Sequence, residues 1–178
     1  MTRTLTLLHT LCTCMMLTST LLFAANQGSG EVSVQGRIIA SACAIDTDSR
    51  DQTINMGNIP IGRIIRDGQG EAYPFSIKLV NCALEKTPAT KGNWRYFEIT
   101  FDGENDSGLF GLHGEAKGIA LKIIDAQGQI ATPGVPLLKS EIEPNEMTLS
   151  YSIRLVGNNQ IVDAGEHYST VRYKMDYY

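Results

Sequence analysis

Apolar and polar side chains alternate with period two along most of this chain, the pattern of strands with one face buried. Val32, Val34, Gly36 and Ile38 alternate with Ser33, Gln35 and Arg37. Phe75, Ile77 and Leu79 alternate with Ser76, Lys78 and Val80, and the same face is expected to reach Asn81. In Tyr96-Phe97-Glu98-Ile99-Thr100-Phe101 the apolar face is Phe97, Ile99 and Phe101. Ile119, Leu121 and Ile123 make a further face, and Leu149, Tyr151, Ile153 and Leu155 another. The last run sets Val171, Tyr173, Met175 and Tyr177 against Thr170, Arg172, Lys174 and Asp176. Turn residues separate these runs, among them Asp67-Gly68-Gln69-Gly70, Asp102-Gly103-Glu104-Asn105, Asp125-Ala126-Gln127-Gly128, Thr132-Pro133-Gly134, Gly157-Asn158-Asn159 and Asp163-Ala164-Gly165. No segment sustains a helical stripe beyond about two turns. The pattern predicts an all-β chain folded as a β-sandwich.

The first 24 residues stand apart. Arg3 precedes an apolar run that closes on Leu21-Leu22-Phe23-Ala24, the layout of a secretory signal. Cleavage after Ala24 puts Ala at −1 and Leu22 at −3. A membrane anchor is the competing reading, opposed by His9 and the threonines that interrupt the run. A lipoprotein signal on Cys12 or Cys14 would set Leu11 or Thr13 where a small residue is wanted. The expected organisation is a signal peptide over 1–24, an N-terminal extension over 25–38 and one domain over 39–178.

Composition narrows the function. A chain of 178 residues, 43% hydrophobic and 19% charged, is one domain's worth and too apolar to be wholly disordered. Fifteen basic against nineteen acidic side chains, with no basic block, give no footprint for nucleic acid. Removing the signal leaves Cys43 and Cys82 as the cysteines and His113 and His167 as the histidines. Two cysteines in an exported chain predict one disulfide. It would close a 40-residue loop, for which chain entropy gives about 4 kcal/mol. A zinc site would need more ligands than these, and neither CxxC nor HExxH occurs in the mature chain. A thiol nucleophile would need an electropositive setting.

Catalytic signatures are missing from the sequence. Neither histidine stands beside a nucleophile motif, and G-x-S-x-G does not occur. Glu141, Glu143 and Glu146 occupy a Pro-bounded loop and read as solvated surface, with no pair singled out for glycoside hydrolysis. Phosphate-binding and dinucleotide-binding glycine loops do not occur. Trp94 beside Arg95 has two readings, a face for stacking on a sugar or the half-buried start of a strand. We therefore expect no catalytic residue, no metal, no cofactor and no small-molecule substrate.

The terminal strands are the informative ones. Ala25-Asn26-Gln27-Gly28-Ser29-Gly30-Glu31 is a lead of small and polar residues before an alternating strand. The last strand runs to Tyr177 and Tyr178, where an immunoglobulin-type sandwich wants a further strand beside it. An apolar groove with an unpaired edge is then expected, an aggregation hazard that a strand from another chain would remove.

At this point a resemblance enters. It rests on Gly30-Glu31-Val32-Ser33-Val34-Gln35-Gly36, on Ala42-Cys43-Ala44-Ile45-Asp46 and Asp51-Gln52-Thr53-Ile54-Asn55-Met56-Gly57, and on Ile77-Lys78-Leu79-Val80-Asn81-Cys82. Gly165, fourteenth from the end, and the penultimate aromatic Tyr177 complete it. Over residues 25–178 the chain resembles pilin subunits of the chaperone–usher pathway, such as those of P and type 1 pili. The resemblance implies an incomplete immunoglobulin-like β-sandwich lacking its last strand, completed by donor-strand complementation. It implies as partners a periplasmic pilus chaperone, an outer-membrane usher and neighbouring pilin subunits, and as location an extracellular fimbrium reached through the periplasm. Val32, Val34, Gly36 and Ile38 would be the donor residues, with Gly36 where a side chain would crowd the neighbour's groove. Gly165, Val171, Tyr173, Met175, Tyr177 and Tyr178 would form the acceptor edge that the chaperone also reads.

The stretch from Phe101-Asp102-Gly103 through Gly118-Ile119-Ala120-Leu121 to Ala164-Gly165 resembles minor and terminating subunits. The extension is shorter than that of the P-pilus anchor, so a stacking subunit, major or minor, ranks before a terminator at the fibre base. Tip adhesins carry a receptor-binding domain for which this length leaves no room. The alternative of another class is a monomeric, secreted carbohydrate-binding sandwich that completes itself.

Overall fold

A computed structural model of the chain describes residues 30–36, 41–86 and 92–178. The chain divides after Ile38 into two units. In the first, residues 30–36 form no strand, and Val32 and Val34 are each 89% exposed. Alternation alone does not make a strand, because an isolated extended segment has only water for its amides. Ile38, the last residue of the alternating run, lies outside the described residues.

The second unit is built from short strands. In chain order these are β1 (Ala44–Ile45), β2 (Tyr73–Cys82), β3 (Tyr96–Asp102), β4 (Asn105–Asp106), β5 (Leu109–Phe110), β6 (His113–Gly114), β7 (Ile119–Asp125), β8 (Ser140–Glu141), β9 (Asn145–Gly157), β10 (His167–Tyr168) and β11 (Arg172–Tyr177). Two helices, α1 (Thr47–Arg50) and α2 (Ile61–Asp67), lie between β1 and β2. One sheet has the order β1-β2-β9-β7-β5-β4, a second β11-β3-β8, and β10 pairs with β6.

The predicted faces form the core. Ile77 and Leu79 on β2, Leu121 and Ile123 on β7, and Tyr151, Ile153 and Leu155 on β9 are buried with Phe97, Ile99 and Phe101 of β3. The Phe101 ring ties the sheets together, 5.1 Å from Tyr151, 6.3 Å from Phe75 and 6.1 Å from Tyr173 between centroids. The result is the expected sandwich.

Local departures have local causes. The β2 face does not extend to Asn81. That residue adopts φ 54°, the β2–β9 register slips between Val80 and Cys82, and Cys82 takes the inward place. Asparagine tolerates the left-handed region, so one extra residue reverses the parity of the strand. The slip brings Cys82 to Cys43, and the two are joined as a disulfide, both buried. The helices left no stripe in the sequence because they are four and seven residues long. Asp46 caps α1 by accepting a hydrogen bond from the Asp48 amide at 3.0 Å. Gly68, in the Asp67-Gly68 turn, ends α2 at φ 70°.

Candidate functional site: a free edge beside an apolar groove

β11 pairs with β3 on one side and has no strand on the other among the described residues. The direction of its main-chain groups follows from one pair. Tyr178 and Tyr96 exchange both hydrogen bonds, at 2.8 and 3.2 Å. In an antiparallel ladder such pairs recur every second residue. Arg172, Lys174 and Asp176, opposite Asp102, Thr100 and Glu98, therefore bond to β3. Val171, Tyr173, Met175 and Tyr177 direct their N–H and C=O groups to the open side.

The same edge continues N-terminally. Asp163 exchanges hydrogen bonds with Lys117 at 3.1 and 3.2 Å, and the Glu166 carbonyl accepts from the Glu115 and Ala116 amides at 2.9 and 3.1 Å. Exposure alternates from Glu166 to Lys174: the even-numbered side chains are exposed and the odd-numbered ones half-buried. Residues 163–177 thus form one lip, backed by β6 and its following turn at one end and by β3 at the other.

Beside the lip lies a cavity of about 920 Å³, floored by Phe75, Phe101, Leu121, Ile123 and Ile153 and closed on its far side by residues 51–57. A second cavity of about 770 Å³ continues toward Ile59, Ile64 and Gly165, and the two share Gly57, His167 and Tyr168. Core side chains thus form the floor of an open trough, next to main-chain groups that no described strand pairs. The Tyr173 hydroxyl bridges the trough at one point by donating to the Ser49 carbonyl.

The sequence-predicted residues separate into groups. Val171, just ahead of β11, shares an inward face with Tyr173, Met175 and Tyr177 of that strand, and all four are half-buried against the core. Only Val171 and Tyr173 of these line the trough. Tyr177 is engaged inside its own domain, with its ring edge-on to Trp94 at 6.2 Å and its hydroxyl 3.5 Å from the Cys43 carbonyl. Burial pushes the Tyr177 phenol up to about 12 and raises that of Tyr173 as well. Tyr178 is exposed, donating to Glu98 Oε2 at 2.9 Å beneath the Lys139 ammonium.

Gly165 lines the second cavity, seven residues before β11. A Cβ there would lie 2.6 Å from the Ala116 nitrogen and 2.6 Å from Glu115 Cβ, so its own fold requires the glycine. At Gly36, by contrast, an added Cβ would meet nothing within 4 Å. Trp94 is half-buried just ahead of β3, with the Lys86 ammonium 3.9 Å over its ring. Sequence reading assigned no role to the far wall at 51–57, nor to His167 and Ser169 on the lip. The alternation from 167 to 173 is the signal for the last two; the far wall carries a shorter one, Ile54 and Met56 half-buried between the exposed Thr53, Asn55 and Gly57.

No protein-family model matches the chain. Curated relatives do. It is 30% identical over 150 residues to a PRS fimbrial minor pilin protein of Escherichia coli, covering 83% of this chain and 77% of that one. It is 30% identical over 166 residues to a fimbria A protein of Serratia marcescens, covering 89% and 90%. Among solved structures, the P pilus rod subunit PapA superposes with a TM-score of 0.67 at 19% identity, over 78% of this chain and all of that one. A subunit in the structure of a chaperone–usher pilus superposes with a TM-score of 0.70 at 20% identity, over 85% and 97%.

Proposed function

We propose, for a chain that belongs to the fimbrial pilin family and is a structural subunit of a pilus, that it polymerises by donor-strand exchange as a stacking subunit within the fibre. The observation that carries this is the lip: main-chain groups on alternate residues of 167–177 unpaired by any described strand, directly beside a trough floored by core side chains. A strand laid in that trough would satisfy those groups and cover the apolar floor together. Residues 25–38 would supply it to the neighbour, with Val32, Val34 and Ile38 entering pockets. Gly36 fits the same reading, since its own chain gives no steric reason for a glycine there.

Before assembly the trough would be covered by a periplasmic chaperone, and an outer-membrane usher would catalyse the exchange. The subunit would cross the periplasm after removal of residues 1–24 and act on the cell surface, contributing to adhesion. The test is deletion of residues 25–36. The expected result is a subunit that folds and is recovered in the periplasmic chaperone complex but forms no SDS-resistant, heat-sensitive multimers on the surface. Normal multimers from the deletion, or loss of the chaperone complex, would overturn the reading.

A further inference from the structure

The lip is electrically polarised along its length. At its β11 end the trough is lined by Arg50, Asp51 and Arg172, and at its other end by Glu115, Asp163 and Glu166 with no Lys or Arg. Arg172 and Glu166 are both exposed, on the same outward side, six positions apart in an alternating stretch. Neither makes a salt bridge among the described residues, whereas the next outward cation, Lys174, is held by Asp176 at 2.8 Å. The extension carries the same order along its alternating pattern, acid first, with Glu31 at one end and Arg37 six positions later, so that the two segments are complementary when they run antiparallel. Six residues of extended chain span about 20 Å in either segment.

We propose that two intersubunit ion pairs, Glu31 with Arg172 and Arg37 with Glu166, fix the register of the inserted strand. Segment 31–38 of a second copy lies antiparallel to the lip, Glu31 opposite Arg172 and Arg37 opposite Glu166. This rests on the donor-strand reading and adds its geometry. Four consequences of the register agree with the structure. First, the outward pairs Glu31–Arg172 and Arg37–Glu166 fall at non-hydrogen-bonded positions, where facing side chains stand closest. Second, Val32, Val34 and Gly36 fall opposite Val171, Ser169 and His167, on the inward side of the lip. Third, size is matched across the joint, with Gly36 facing the imidazole of His167 and Ile38 facing Gly165. Fourth, the parallel orientation is opposed, because it would set Glu31 by Glu166 and Arg37 by Arg172, and like charges facing each other across strands destabilise. A shift of two residues loses both ion pairs in either direction, and the best it offers instead is Glu31 opposite Lys174, which Asp176 already holds.

Two measurements on the full chain, assembled with its secretion machinery, test this. In the first, Glu31→Cys is combined with Arg172→Cys or with Glu166→Cys, and intersubunit disulfides in surface multimers are read by mass. Cross-linking is expected for 31 with 172. Cross-linking of 31 with 166 instead would establish the parallel strand and overturn the proposal, as would multimers in which neither pair links. In the second, Glu31→Arg and Arg172→Glu should each lower multimer yield roughly two- to fivefold, and the double variant should restore it. Single reversals without effect, or a double variant no better than either single, would remove the charges from the joint. Failure here with the 25–36 deletion still abolishing multimers refutes the register alone. Multimers that survive the deletion refute donor-strand exchange itself.

Discussion

Gly165→Ala isolates a close backbone approach at the groove and should loosen the lip proposed to receive the neighbour's strand. Gly165 is not in the left-handed region, so alanine costs nothing in backbone conformation. The cost is contact. An added Cβ would sit 2.6 Å from the Ala116 nitrogen and 2.7 Å from the Glu115 carbonyl carbon, against an ordinary separation of 3.4 Å or more. Both are main-chain atoms, tied to the lip by the Glu115 and Ala116 amides bonding to Glu166. Relief therefore needs the two backbones to part by close to an ångström. Overpacking of this kind costs about 1–3 kcal/mol, and weakening one of those hydrogen bonds adds about 1 kcal/mol. Against this, alanine restricts the unfolded chain and returns about 0.4–1 kcal/mol. The steric term wins, and the net loss should be about 1–3 kcal/mol. With a urea slope near 2 kcal/mol/M for a domain of this size, the midpoint should fall by about 0.5–1.5 M. The single tryptophan, Trp94, gives a fluorescence signal for the full-length exported protein. Hydrogen exchange should quicken at Glu115, Ala116 and Lys117. Gly36→Ala is the control, because its Cβ meets nothing, and it should leave the midpoint unmoved. An unchanged midpoint together with unchanged protection in Gly165→Ala would refute the argument from close approach.

Other expectations follow from single contacts. Cys43→Ser should reduce the yield of exported subunit, since a 40-residue loop loses a closure that contributes about 4 kcal/mol. Mass analysis of the unreduced wild-type protein should find it two hydrogens lighter than the dithiol. Tyr177→Ala should destabilise the domain by about 2 kcal/mol, because a half-buried ring on Trp94 is removed, whereas Tyr177→Phe keeps the ring and loses only a long hydrogen bond. Comparing their urea midpoints checks this, and equal losses would assign the effect to the hydroxyl. In alkali the direction is set by burial, which holds the Tyr177 phenol at about 12 against about 10 unfolded. The folded state then binds more protons than the unfolded state between those values. Stability complete below pH 10 is therefore lost as pH rises to about 12. Tyrosinate absorbance and Trp94 fluorescence followed together should show ionisation coincident with unfolding, and Tyr177→Phe should shift the transition upward.

How much of this was legible in the sequence depends on the range of the interactions involved. Alternation is written every two residues, and burying an alternating face is independent of which strand lies beside it. Phe97, Ile99 and Phe101, or Tyr151, Ile153 and Leu155, could therefore be placed inward from the chain alone. The disulfide was legible for a similar reason, because reading residues 1–24 as a signal leaves two cysteines to pair. Two things were hidden by local conformation: the left-handed Asn81 that turns Cys82 inward, and helices too short to leave a stripe. An open edge at the last strand was expected from the sequence, but which main-chain groups face it belongs to tertiary structure. Whether Val171 or Arg172 offers its amide to the open side depends on how β11 pairs with β3, a strand some seventy residues away in the chain. Gly165 shows the same division. Its position marked it as special in the sequence, but the reason, two backbones in contact across Glu115 and Ala116, exists only once the lip and its backing strand are brought together.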